Sequence, residues 1–161
     1  MSGFLPSDRI AKVRLVEERP RARTPEIQQE LDIALFDLSE ENAFRIAGEA
    51  PPGPYHLGIG MAERLLGLEV TTEAGDPALA LQLSLSPLRA TIRDYFEICE
   101  SYFDAVKRLP PSKIEAIDMG RRGLHDEGAQ ILLERLEGKI ATDLATARRL
   151  FTVVCALQFR G

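Results

Sequence analysis

The chain has 161 residues, 45% of them hydrophobic and 28% charged, and a formal charge of −5. That is the size and balance of one globular domain with a core of its own, and it excludes a collagen-like, a wholly disordered or a disulfide-built chain. The charge is uneven: net +3 over residues 1–24, −9 over residues 25–86 and +1 over residues 87–161, which argues against a broad nucleic-acid surface.

Residues 1–24 read as a basic N-terminal arm or an edge strand, ahead of a single domain over residues 25–161. In IAKVRLVE (10–17), Ile10, Val13 and Leu15 are set among charges, a strand-like pattern. Arg19, Arg21 and Arg23 follow in a loop. They either neutralise the acidic body or touch an acidic partner or RNA, and no aromatic lies among them to stack a base. Thr24 then Pro25 is a helix start, an N-cap with proline at the first position. Ile27, Leu31, Ala34, Leu35 and Leu38 make one helical face, and Glu30, Asp37 and Glu41 lie opposite.

GEAPPGP (48–54) interrupts helix. Three strand-like runs come next, YHLGIGM (55–61), LLGLEVTT (65–72) and ALALQLSLS (78–86), joined by connections short enough for an antiparallel meander. Gly58 and Gly60 fall on the face opposite Tyr55, Leu57, Ile59 and Met61. Ser86-Pro87 predicts the start of a long helix whose apolar face runs from Leu88 to Leu109. Pro110-Pro111 stops it. Ser112 with Glu115 has the capping-box spacing for a further helix.

Gly120 and Gly123 predict a break at 120–125, then a new helix over 126–137 ended by Gly138. Ile140 and Ala141 suggest a short bridge or strand. Thr142 or Asp143 caps the last helix, over 143–158. That helix is apolar on nearly all sides, so it belongs in the core or at a subunit contact; a terminal strand over FTVVCAL is the competing reading. The fold class is therefore α+β: a small antiparallel sheet of three to four strands packed against about five helices.

The chemistry is sparse. The sequence holds no HExxH, paired CxxC, P-loop, GxGxxG or GxSxG motif and specifies no cofactor or metal. GIG at 58–60 reads as a flat strand face. The densest constellation is GRRGLHDEG (120–128). Read as a glycine-flexed loop entering a helix, it offers free N–H groups with Arg121 and Arg122 for a phosphate or carboxylate. His125 adds a donor or an acid–base group, and Asp126, Glu127, Arg148 and Arg149 stand near it in the reading. The same residues also read as salt bridges to acidic helix faces, with Asp126 as a cap. A second stripe, Glu97, Glu100 and Asp104, reads as a solvated face or a divalent-cation site.

Three functions fit these residues. One is a non-enzymatic binding or regulatory protein that recognises an anionic ligand or a partner protein. Another is a small hydrolase or transferase that uses His125 with Asp126 or Glu127 and an Arg121/Arg122 clamp. The last is a homo-oligomer built on helix 143–158. The N-terminus MSGFLPSDRI lacks a signal-peptide pattern and no apolar run is long enough to span a membrane. With Cys99 and Cys155 both in apolar segments, the expectation is a cytoplasmic protein.

DYFEICESYFDAV (94–106), IEAIDMGRRGLHDEGA (114–129), ERLEGK (134–139) and TARRLFT (146–152) together resemble uncharacterised protein family 0262 of alphaproteobacteria. EENAF (40–44) and GPY (53–55) add a looser likeness in the first half. The resemblance implies a soluble bacterial protein and brings no established fold, activity or site residue. Family members tend to end in a His-Trp pair before a basic residue. Gln158 and Phe159 stand there in this chain, so a mechanism needing a C-terminal histidine does not carry over.

Overall fold

The computed structural model describes residues 3–17, 22–62 and 64–159. In chain order they form β1 (Ile10–Val16), α1 (Pro25–Glu40), β2 (Phe44–Ile46), β3 (Tyr55–Ala62), β4 (Leu65–Thr72) and β5 (Pro77–Ser84). A 3-10 turn (Ser86–Leu88), α2 (Arg89–Arg108), α3 (Pro111–Leu136), β6 (Ile140–Thr142) and α4 (Leu144–Gln158) follow. The class is α+β, as the patterning predicts. The described residues hold four helices, not about five.

Local chemistry explains most starts and stops. The Thr24 hydroxyl accepts from the Ile27 N–H at 3.2 Å, and the Asp143 carboxylate accepts from the Thr146 N–H at 2.8 Å. Both are side-chain caps on otherwise orphaned donors. Gly138, at φ +82°, follows α3 where a left-handed residue is needed. Two expected caps fail. Ser86 lies inside the 3-10 turn, and Ser112 lies inside α3, whose N-cap position is Pro110, which makes no side-chain cap bond.

The break expected at 120–125 is absent, which is why the helix count falls. α3 runs unbroken through Gly120, Gly123 and Gly128. A Cβ at Gly120 would stand 2.7 Å from Ile98 Cδ1, and one at Gly128 would stand 2.3–2.5 Å from three ring atoms of Phe151. These glycines let α2 and α4 approach the α3 backbone. The packing gained offsets a helix-propensity cost of about 1 kcal/mol per glycine.

The main sheet has the order β1-β3-β4-β5. β3, β4 and β5 form the predicted antiparallel meander. β1 departs from the all-antiparallel expectation. It pairs parallel with β3, because the chain between them crosses over through α1. β2 and β6 pair separately. The inner face of the main sheet is apolar: Leu57, Ile59, Leu66 and Leu68 surround a small cavity together with Leu132 and Leu136 of α3 and Leu150 and Val154 of α4.

Helix α4 is buried at Thr146, Ala147 and every position from Leu150 to Leu157. Of the two places the sequence offered this all-round apolar helix, it takes the core, and the terminal strand over FTVVCAL is not formed. The opposite face of the sheet stays open. Lys12, Arg14, Ala62, Glu69, Ala80 and Gln82 are exposed along it.

Candidate functional site

Arg121 lies where α1, α2 and α3 meet. Its Nη1 donates to Glu30 Oε1 of α1 at 2.6 Å, and its Nη2 and Nε donate to Asp118 Oδ1 at 2.8 and 3.2 Å. The guanidinium lies 4.4 Å from the centre of the Tyr102 ring of α2. Arg122 takes the other oxygen of Asp118, at 2.8 and 3.1 Å. The hydrogen bonds from Arg121, then those from Arg122, hold the Asp118 carboxyl below the usual carboxylate range although burial opposes them. Burial alone would lower the Arg121 pKa, but its bonds to Asp118 and the Glu30 charge raise it.

His125 sits one turn further along α3. Its Nε2 is 2.6 Å from Thr152 Oγ1, and that hydroxyl donates to the Arg148 carbonyl at 3.3 Å. A hydroxyl has one proton, so this assigns Nε2–H as the donor to Thr152. The imidazole is stacked on Tyr95, with centroids 5.7 Å apart, and tilted against Phe151. Burial, then the charges of Arg148 and Arg121, push its pKa below the ordinary value. Burial also pushes the Cys99 thiol up to about 11 and the Cys155 thiol well above its usual value. Neither is a thiolate near neutral pH, so neither has the activation a cysteine nucleophile needs.

The sequence-predicted residues are therefore only partly assembled. Arg121 and Arg122 converge on Asp118, and Arg148 Nε binds Asp126. Arg149 turns away and donates to the Glu41 carbonyl at 2.5 Å. It does not answer an acid of α2, and neither does Arg148. Glu127 is exposed. The helix N-terminus expected at Asp126 does not exist. That segment is mid-helix, its N–H groups face the preceding turn, and Asp126 caps nothing.

Of the N-terminal arginines, Arg23 is pinned by Glu17 and donates to the Ala156 carbonyl at 3.0 Å. Arg19 and Arg21 lie outside the described residues. In the α2 stripe, Asp104 pairs with Arg108. Among the described residues, no group of three His, Cys, Asp or Glu side chains is placed to hold a metal ion.

A different row of polar groups stands on the open face of the sheet. Lys12 is in register with His56, Arg14 with Gly58, and across β4 His56 faces Thr71 and Gly58 faces Glu69. Arg14 reaches Glu69 at 3.8 Å, both largely exposed at 68% and 64%. Its guanidinium lies over Gly58, where a Cβ would stand 3.2 Å from Nη2. At Gly60 a Cβ would stand 2.2 Å from the Val16 carbonyl oxygen, so the close approach of β1 there requires glycine. Two shallow hollows result. One of about 370 Å³ is bordered by Lys12, Arg14, His56 and Thr71, and one of about 500 Å³ by Gly58, Gly60, Gly67, Ala80 and Gln82.

Lys12, Arg14 and His56 lie outside the constellation that the sequence predicts. Alternation sets each on the polar side of its own strand. What alternation does not supply is the parallel pairing that sets β1 beside β3.

The family model described as uncharacterised protein family UPF0262 matches residues 7–160. The chain belongs to that family. Full-length UPF0262 relatives include one from Brucella anthropi, 51% identical over all of both chains. Another, from Ruegeria sp. (strain TM1040), is 53% identical over 95% of this chain and 99% of its own. A third, from Jannaschia sp. (strain CCS1), is 58% identical over 86% of this chain and 89% of its own. No solved structure matches. No helix among the described residues is long and apolar enough to cross a membrane.

Proposed function

We propose that this UPF0262 protein is a non-enzymatic binding protein that takes an acidic segment of a partner protein on the outer face of its sheet, along Lys12, Arg14 and His56. The observation that carries this reading is how differently the cations are held. Arg121 is 22% exposed and bound to two carboxylates. Arg14 is 68% exposed and has one carboxylate at 3.8 Å. An exposed pair at that distance is worth about 0–1 kcal/mol, so an incoming carboxylate displaces it at little cost. The glycine floor lets a backbone lie close to the sheet. We place the protein in the cytoplasm, where its two buried thiols stay reduced.

The hydrolase or transferase reading has less support. His125 is bonded to Thr152, Asp126 is bound to Arg148, and Arg121 and Arg122 are bound to Asp118. Each of these side chains is already engaged by a partner in its own chain.

The experiment is a titration of a fluorescein-labelled, glutamate-rich peptide followed by anisotropy at low salt. The expected result is a rise that K12E/R14E abolishes and R122E leaves in place. No rise, or a rise lost in R122E and kept in K12E/R14E, overturns the reading.

A further inference from the structure

We infer that β5 pairs antiparallel with β5 of a second copy of this chain, joining two four-stranded sheets into one of eight strands. This does not depend on the outer face being a docking surface. The two edges of the sheet are β1 and β5. An edge strand presents unpaired N–H and C=O groups, and proteins that remain single guard it with charges, bulges or a covering element. β1 has all three: Lys12 and Arg14 along it, a register shift between Ile10 and Lys12, and α1 packed beside it.

β5 is less guarded: its register shift against β4 falls at its start, between Pro77 and Leu79, and leaves Leu79–Ser84 in regular pairing. PALALQLS carries no charged residue, and its proline stands at the first position, where it does not block pairing further along. Among the described residues it pairs with β4 alone.

The strand's side chains point to its own copy as the occupant. Leu79, Leu81 and Leu83 lie on the inner face, opposite the buried Val70, Leu68 and Leu66 of β4, yet Leu79 and Leu81 remain half-buried. In a two-fold symmetric antiparallel pair of identical strands, inner-face residues oppose inner-face residues. A second β5 would therefore close its leucines against these two and extend the core.

Charge sets the direction. The exposed acids Glu73 and Asp76 precede β5, and the exposed Arg89 follows it. Antiparallel pairing puts the acidic end of each copy beside the basic end of the other. Parallel pairing would set like beside like.

The test is light scattering on the size-fractionated protein over a wide concentration range, with amide hydrogen exchange on the same samples. The expected mass is twice 17.9 kDa, with β5 amides that exchange more slowly as concentration rises. Ala80→Lys with Gln82→Lys, both on the exposed outer side, should return a 17.9 kDa species with an unchanged circular dichroism spectrum. A monomer at every concentration overturns the inference. So does a dimer whose β5 amides show no concentration dependence, or one that survives the double lysine substitution in a folded protein.

Discussion

The helical junction around Arg121 and the outer face around Arg14 use the same side-chain chemistry to opposite ends. At the junction the Arg121 guanidinium meets two carboxylates from its own chain, is partly buried and lies over the Tyr102 ring. On the sheet the Arg14 guanidinium stands in solvent over Gly58. The lesson is that a cluster of arginines near a histidine says little about binding until their partners are counted. Paired and half-buried charges specify how helices dock. Loosely held exposed charges are the ones left for a ligand.

Substitutions that separate the two regions should span a wide range of effect. The largest belongs beside the junction. Phe151→Ala removes a fully buried ring that packs on Gly128, Tyr95 and His125, and should cost about 3–5 kcal/mol in urea unfolding. A loss under 1 kcal/mol would mean that α4 is not the packing centre.

Next is Arg121→Ala. It leaves Glu30 and Asp118 half-buried without their shared partner, with an expected cost of about 1–3 kcal/mol. If this substitution left stability untouched but abolished peptide binding, the assignment of the two regions would be reversed.

A smaller effect follows pH. The folded-state pKa of His125 lies below its ordinary value of 6.5, so the unfolded chain binds the proton more readily. Stability should be full above that value and decline as pH falls below it. Urea midpoints at pH 7.5 and pH 5.5 check this, and His125→Gln should flatten the difference. A midpoint that rises on acidification would contradict the burial of the ring.

The smallest effect on stability is expected at Arg14→Ala. The ion pair it breaks is exposed, so the change should stay within about 0.5 kcal/mol while peptide binding weakens. Equal stability with equal binding would remove Arg14 from the proposed surface.

Much of the architecture was legible in the residues. Thr24 and Asp143 cap helices because their side-chain oxygens reach the third residue on, a purely local geometry. The meander was legible because one face of each strand is buried. What failed was non-local. Gly120 and Gly123 look like helix breakers in isolation, and it takes Ile98 against Gly120, and Phe151 against Gly128 further on, to show that α3 is held by packing; Gly123 has nothing within 4 Å of where its Cβ would stand.

β2 is not legible in the sequence because the alternation of Phe44, Arg45 and Ile46 spans only three residues. It is positioned by long-range bonds such as the Phe44 N–H to the Asp8 carbonyl at 2.9 Å and the Thr142 hydroxyl to the Ala43 carbonyl. The constellation at 120–128 was found as a set of residues, but its meaning depended on Glu30 and Asp118 as the partners of Arg121.

The most direct measurement is amide shift mapping of the ¹⁵N-labelled protein by NMR during titration with the glutamate-rich peptide. Binding on the sheet predicts saturable shifts concentrated at residues 12–16, 56–62 and 67–71, with residues 118–127 and 148–152 little changed. Shifts centred on Arg121, His125 and Arg148, with the sheet unmoved, would contradict it.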